Sequence, residues 1–140
     1  MAINKFVKAI LNNDELVIFG NGMQTRDFTY VDDTVAGFIS SAESSVGLGE
    51  VFNLGTGEEI RIGDLANKVI AMVGREVQID LQPERLRPEK SEVMRLIFDN
   101  RRAREVLGWK PKVSLEEGLK RTMQWISENI GQYRVGKYEF

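Results

Sequence analysis

The residues of this 140-residue chain best suited to chemistry are an arginine, Arg26, and the groups that could share a ligand with it. Arg26 lies in the stretch Phe19-Gly20-Asn21-Gly22-Met23-Gln24-Thr25-Arg26-Asp27-Phe28-Thr29-Tyr30-Val31-Asp32-Asp33, which runs from an apolar strand through a Gly-x-Gly turn to a helix start. A guanidinium suits a phosphate because its planar fork donates two parallel hydrogen bonds and stays charged. The amides of a helix N-terminus would add positive potential beside it. The same residue types also fit a surface ion pair with Asp27 or Asp32, an interaction worth little. Arg85 and Arg87, in a polar stretch with two prolines, could complete an anion clamp with Arg26, and Glu92 could accept hydrogen bonds from ribose hydroxyls. A solvated charged loop is the plainer account of that stretch. Asn53 interrupts the apolar run Val51-Phe52-Asn53-Leu54. Once buried it needs a partner, since an unmet amide costs about 1–3 kcal/mol. It serves either a structural hydrogen bond or a cleft at the C-terminal end of a strand, where α/β proteins collect ligands.

Two other patterns look like cofactor chemistry. Gly20-x-Gly22 and Gly55-x-Gly57 each follow an apolar run, but Thr25 and Ile60 stand where a dinucleotide fingerprint needs its third glycine. Tight turns with positive φ account for these glycines. Tyr133-x-x-x-Lys137 has the spacing of a catalytic pair on one helix face, yet Gly131 precedes it and Gly136 interrupts it, so a C-terminal tail is expected.

Composition narrows the classes. The chain has no Cys and no His, which excludes disulfides, Cys/His metal sites, thiol nucleophiles and histidine bases. Its formal charge of -2 offers no basic excess for nucleic acid, so any anion site must be local. No apolar run approaches the ~20 residues of a membrane span. The lack of Cys suits a cytoplasmic setting.

The elements that must hold these groups are legible from periodicity. Ile3, Phe6, Val7, Ile10 and Leu11 define an opening amphipathic helix that Asn12-Asn13-Asp14 ends. Leu16 to Phe19 reads as a strand. Asp32 or Asp33 is expected to cap a helix that buries Val35, Phe38, Ile39 and Ala42. Val51–Leu54 reads as a strand. Ile62, Leu65, Ala66, Val69, Ile70 and Val73 form the clearest helical stripe, stopped by Gly74. Val77, Ile79 and Leu81 alternate as a half-buried strand, and Val93–Phe98 can form another. A short helix uses Ala103, Val106 and Leu107 and closes at Gly108. Ser114 with Glu117 reads as a capping box opening a last helix, with Leu115, Leu119, Met123, Ile126 and Ile130 inward and Gly131 as its stop. There is no linker or repeat, so residues 1–140 are expected to form one α/β unit.

Four ordered motifs carry a family resemblance. They are the Phe19–Asp33 stretch; Glu50-Val51-Phe52-Asn53-Leu54-Gly55; Asp99-Asn100-Arg101-Arg102-Ala103-Arg104-Glu105-Val106-Leu107-Gly108-Trp109-Lys110-Pro111; and Ser114-Leu115-Glu116-Glu117-Gly118-Leu119. Together they resemble the C-terminal, substrate-binding part of the extended short-chain dehydrogenases/reductases (SDRs), the Rossmann-type NAD-dependent nucleotide-sugar epimerases and dehydratases. Glu84-Arg85-Leu86-Arg87-Pro88-Glu89-Lys90-Ser91-Glu92-Val93 most resembles the 4,6-dehydratases of the legionaminic acid type.

The resemblance implies about five helices with short mixed strands and a nucleoside-diphosphate sugar as ligand. Carried over by position, Arg26 and Arg87 would bind the diphosphate, Asn53 would contact phosphate or sugar, and Glu92 would reach ribose or base. Val17 and Phe19 would line the base pocket. The family's chemistry is oxidation at C4 by NAD, loss of water and return of the hydride. Its NAD fingerprint and catalytic Tyr-x-x-x-Lys belong to an N-terminal half that these 140 residues do not resemble. The chain by itself is therefore expected to bind no NAD and to be catalytically silent. Its partners would be the N-terminal half or a second copy. A 4-epimerase portion, a stand-alone nucleotide-sugar binding module and a structural remnant are the alternatives.

Overall fold

The computed structural model describes residues 2–82 and 93–132. Among these the helices are α1 (Ala2–Leu11), α2 (Val31–Glu43), α3 (Ile62–Val73), α4 (Arg101–Leu107) and α5 (Leu115–Glu128). The strands are β1 (Leu16–Phe19), β2 (Thr25–Arg26), β3 (Ile60–Arg61), β4 (Ile79–Gln82) and β5 (Arg95–Leu96). The expected α/β class of five helices and short mixed strands is what forms.

The core follows from three apolar stripes meeting one strand. α1 buries Phe6, Val7 and Ile10, α3 buries Ile62, Leu65, Ala66 and Val69, and α5 buries Leu119 and Ile126. Strand alternation sends Leu16 and Ile18 into the same cluster. β1 pairs in parallel with β4, Leu16 opposite Ile79 and Phe19 opposite Gln82. Leu81, expected on the buried side of this strand, is 51% exposed; among the described residues β4 pairs with β1 alone. α3 ends as the sequence implies: Gly74 adopts the left-handed conformation (φ 69°) and donates its amide to the Ile70 carbonyl.

The second sheet has the order β3-β2-β5, with β2 antiparallel to β3 and parallel to β5. The glycine turn before β2 supports α3. The Gly22 carbonyl accepts from Gly63 N (2.9 Å) and the Gln24 carbonyl from Ile62 N (3.0 Å), so two amides at the start of α3 are met by backbone. A Cβ on Gly22, where φ is +71°, would sit 3.3 Å from the Gly63 backbone.

Five expectations need correction. α2 starts at an N-cap of Tyr30 with no side-chain cap, so neither Asp32 nor Asp33 caps it. Its expected stripe faces outward: Val35, Phe38 and Ile39 are 48%, 68% and 52% exposed, and Ala42 is exposed as well. The inward face carries Asp33 and Gly37 instead. Asp33 bonds the segment after α4, and Gly37 lies so close to Leu54 that an added Cβ would be 2.4 Å from its Cδ1. Periodicity located an apolar stripe on α2 but could not say which side this domain covers.

Residues 51–54 do not form a strand. Leu54 packs on Gly37, and its carbonyl accepts from Thr29 Oγ1 at 3.2 Å. The capping box at α5 is half made: Ser114 Oγ accepts from Glu117 N, while the Glu117 carboxylate turns to Arg121 Nε at 2.7 Å. α5 then stops at Glu128 with Asn129 as its cap, ahead of Gly131, and a 3-10 turn (Ile130–Gln132) follows.

Candidate functional site

Arg26 occupies the middle strand of the second sheet, in register with Ile60 on one side and Leu96 on the other. Its guanidinium Nη1 donates to the Thr25 carbonyl at 2.7 Å. Side chains alternate along a strand, so Thr25 and Asp27 share the face opposite Arg26. The contacts agree, since both reach the loop 56–59. Thr25 Oγ1 donates to Glu59 Oε2 (2.7 Å), and Asp27 Oδ1 accepts from Thr56 N (3.0 Å) and Thr56 Oγ1 (2.5 Å). Asp27 Oδ2 accepts from Gly57 N at 2.9 Å. Arg95 Nε donates to both oxygens of Glu59. The Thr25 hydroxyl and then the Arg95 guanidinium hold the Glu59 carboxyl below its ordinary range. Asp32, the other acid weighed against Arg26, lies 3.6 Å from Arg121.

Val17 and Phe19 lie on the outer face of β1, 39% and 37% exposed. Lys5 Nζ sits 5.6 Å from the Phe19 ring centroid. Phe19 and Arg26 belong to different sheets, linked by a hydrogen bond from Gln24 Nε2 to the Phe19 carbonyl (3.0 Å). Arg85, Arg87 and Glu92, like Tyr133 and Lys137, lie outside the described residues. The described residues on either side of 83–92 meet the two site strands: Gly20 N donates to Gln82 O at 3.0 Å and Thr25 N to Met94 O at 2.8 Å.

Asn53, expected to be a buried amide in need of a partner, is exposed. It lines an open hollow of about 680 Å³ with Glu50, Asp99, Arg101 and Arg102. The charges there are paired locally, Arg102 with Glu50 and Arg101 with Asp99. Arg101 holds the Asp99 carboxyl down at about 2. A second groove, about 490 Å³ and mostly apolar, runs between α1 and α5 past Phe28, Tyr30 and Trp125. Arg26 lines neither hollow.

Sequence reasoning missed the residues that hold this arrangement together. Asp27, in one dimension an ion-pair partner for Arg26, is bonded to the turn at Thr56 and Gly57. Asn100, buried, donates from Nδ2 to the Gly55 carbonyl at 2.7 Å. Asp33, 3% exposed, accepts from Lys112 N and Val113 N (3.0 Å each), and its carbonyl accepts from the Trp109 indole at 2.8 Å. The only signal for these was a polar residue inside each recognisable motif. Gly55 has a packing reason too, since an added Cβ would lie 2.3 Å from Phe98 Cβ and 2.8 Å from Asp27 Oδ2. Gly55→Ala is expected to lower unfolding free energy by about 1–3 kcal/mol through overpacking, measurable by urea denaturation.

The glycine turns do not fit a dinucleotide. A pyrophosphate needs a helix N-terminus directly after the fingerprint, whereas Gly20–Gly22 leads into β2 and Gly55–Gly57 into β3.

Comparison with known proteins fits this architecture. The sequence model of a family described as GDP-mannose 4,6 dehydratase matches residues 1–122. The UDP-glucuronate 4-epimerase of Thermodesulfobacterium geofontis is 40% identical over 132 residues, 93% of this chain and 39% of that protein. The human dTDP-D-glucose 4,6-dehydratase is 30% identical over 135 residues, covering 94% of this chain and 38% of its own. The crystal structure of the Bacillus cereus UDP-glucuronic acid 4-epimerase, in complex with UDP-glucuronic acid and NAD, superimposes with a TM-score of 0.84 at 31% identity, over 92% of this chain and 40% of that one. The chain thus spans about two-fifths of the length of the relatives it matches. With its fold matching their C-terminal part, the chain belongs to the GDP-mannose 4,6-dehydratase family within the extended SDRs.

Proposed function

We propose that this chain is the sugar-nucleotide-binding portion of an NAD-dependent nucleotide-sugar 4,6-dehydratase, of the legionaminic acid type by the resemblance of residues 84–93, working in the cytoplasm. The observation that carries the reading is Arg26 on the central strand of the second sheet, in register between two aliphatic residues, with Asp27 turned to the opposite face. From that half-buried position the planar guanidinium can donate two parallel charge-assisted hydrogen bonds to a phosphate. In this reading Arg26 and Arg87 hold the diphosphate, Asn53 contacts phosphate or sugar, and Glu92 meets ribose or base. Val17 and Phe19 present apolar surface to the base. NAD, bound by the rest of a full-length protein, would supply the hydride acceptor at C4; the residues of this chain bind and orient the nucleotide end.

A second reading, a nucleotide-sugar 4-epimerase portion, is favoured by the names of two relatives reported above. Both reactions begin with oxidation at C4, so both need the same nucleotide grip. The test is isothermal titration of the chain with UDP, GDP, CDP and dTDP, with NAD alongside. Uptake of one nucleoside diphosphate and not of NAD is expected. Silence with all of them would overturn the proposal for this chain.

The outward stripe of α2 bears on partners. Val31, Val35, Phe38 and Ile39 sit at helical spacing and are 48–68% exposed. We infer that this face meets the family's N-terminal half, and that in its absence the chain self-associates. Phe38→Asp is expected to shift the sedimentation profile of the chain toward monomer without loss of helical circular dichroism.

A further inference from the structure

We propose that Asp27 is a positioning residue that fixes Arg26 relative to Asn53. The inference rests on the reading of those two residues as sugar-nucleotide ligands. Asp27 follows Arg26 directly, and its carboxylate is bonded to the turn that follows Asn53. Oδ1 accepts from Thr56 N at 3.0 Å and Thr56 Oγ1 at 2.5 Å, and Oδ2 from Gly57 N at 2.9 Å and Phe98 N at 3.4 Å. The turn is held from its other side by Asn100 Nδ2 on the Gly55 carbonyl (2.7 Å). It admits no side chain at position 55, where an added Cβ would be 2.8 Å from Asp27 Oδ2. One carboxylate therefore ties together β2, the loop after Asn53 and the exit of β5, three segments far apart in sequence.

The role requires a carboxylate and not simply a polar group of that shape. Both oxygens are used as acceptors, and an ionised carboxylate is an acceptor at both. Asparagine would present one acceptor and one NH2, and the NH2 would face backbone N–H donors on whichever side it took. Asp27→Asn should therefore release one half of the clamp while leaving side-chain volume unchanged.

The experiment compares Asp27→Asn with Asp33→Asn in the 140-residue chain. Asp33 is also an acid clamped to backbone amides, but its donors, Lys112 N and Val113 N, lie in the segment before α5. Amide hydrogen exchange, side-chain NMR signals of Arg26 Nε–H and Asn53 Nδ2, and titration with the four nucleoside diphosphates are read for each. Asp27→Asn is expected to speed exchange at Thr56 and Gly57 at least tenfold beyond any global change. It should also move both side-chain signals and weaken nucleotide binding about tenfold. Asp33→Asn should lower Tm comparably and do none of these. Unchanged exchange at Thr56 and Gly57, unmoved Arg26 and Asn53 signals, or an affinity loss equal in the two variants overturns the proposal. If the parent chain binds no nucleoside diphosphate, the ligand reading of Arg26 fails, and the side-chain signals alone decide whether Asp27 sets the spacing.

Discussion

Trp109→Ala is expected to cost about 3–5 kcal/mol of folding stability, the usual range for deleting a buried tryptophan side chain. Trp109 is 4% exposed and donates its indole N–H to the Asp33 carbonyl at 2.8 Å. The substitution opens a cavity between α2 and the segment after α4, and it leaves that carbonyl without its partner. Against a typical domain stability of about 5–15 kcal/mol, such a loss should lower Tm by roughly 10 °C or more. Trp109→Phe separates the two contributions. It keeps most of the apolar volume and loses the donor, so its cost should fall to about 1–3 kcal/mol. Urea denaturation of both variants checks the pair. Equal losses would mean that packing at this site matters little beside the hydrogen bond.

Arg26→Ala should weaken binding of the nucleoside diphosphate by roughly 10- to 100-fold, the equivalent of the ~1.5–3 kcal/mol of a hydrogen bond to a charged group. Stability should change little, because Arg26 is only half-buried and lies outside the main apolar cluster. Arg26→Lys is the sharper test of mechanism. It retains the charge but not the planar fork, so most of the loss should persist if bidentate geometry matters, and most should be recovered if charge alone does. Titration calorimetry on the three chains, with thermal melts as a fold check, distinguishes these. Full affinity in Arg26→Ala would remove the residue from the binding set.

How much was legible in the sequence differs from element to element, and the reason is physical. α3 was readable to its last residue because the stripe from Ile62 to Val73 is buried on one side and Gly74 is the residue that tolerates a left-handed cap. β1 was readable because Leu16–Phe19 is a short apolar run closed by the Gly20-Asn21-Gly22 turn; that Leu16 and Ile18 are the buried pair came only with the fold. Ser114 was readable as a cap because that bond is local to four residues. The family was legible as well, since the motifs around Arg26, Asn53 and Trp109 carry it in order along the chain.

Tertiary structure decided the rest. Residues 51–54 have the composition of a strand, yet a strand exists only where another supplies its ladder, and there the chain packs Leu54 on Gly37 instead. α2 has the periodicity of a buried helix, but periodicity fixes the direction of a stripe along the helix and not its cover, and here Asp33 turns inward to meet backbone amides. Asp27 and Asp33 are acids that look like surface charges in one dimension. They become clamps only because the fold brings loops 29 to 80 residues away within hydrogen-bond reach of them. The sequence alone determined where the helices run and where their apolar stripes lie, and which residue types could grip an anion. Which of those groups meet was settled by contacts between distant segments, where hydrogen-bond geometry, and not local propensity, sets the outcome.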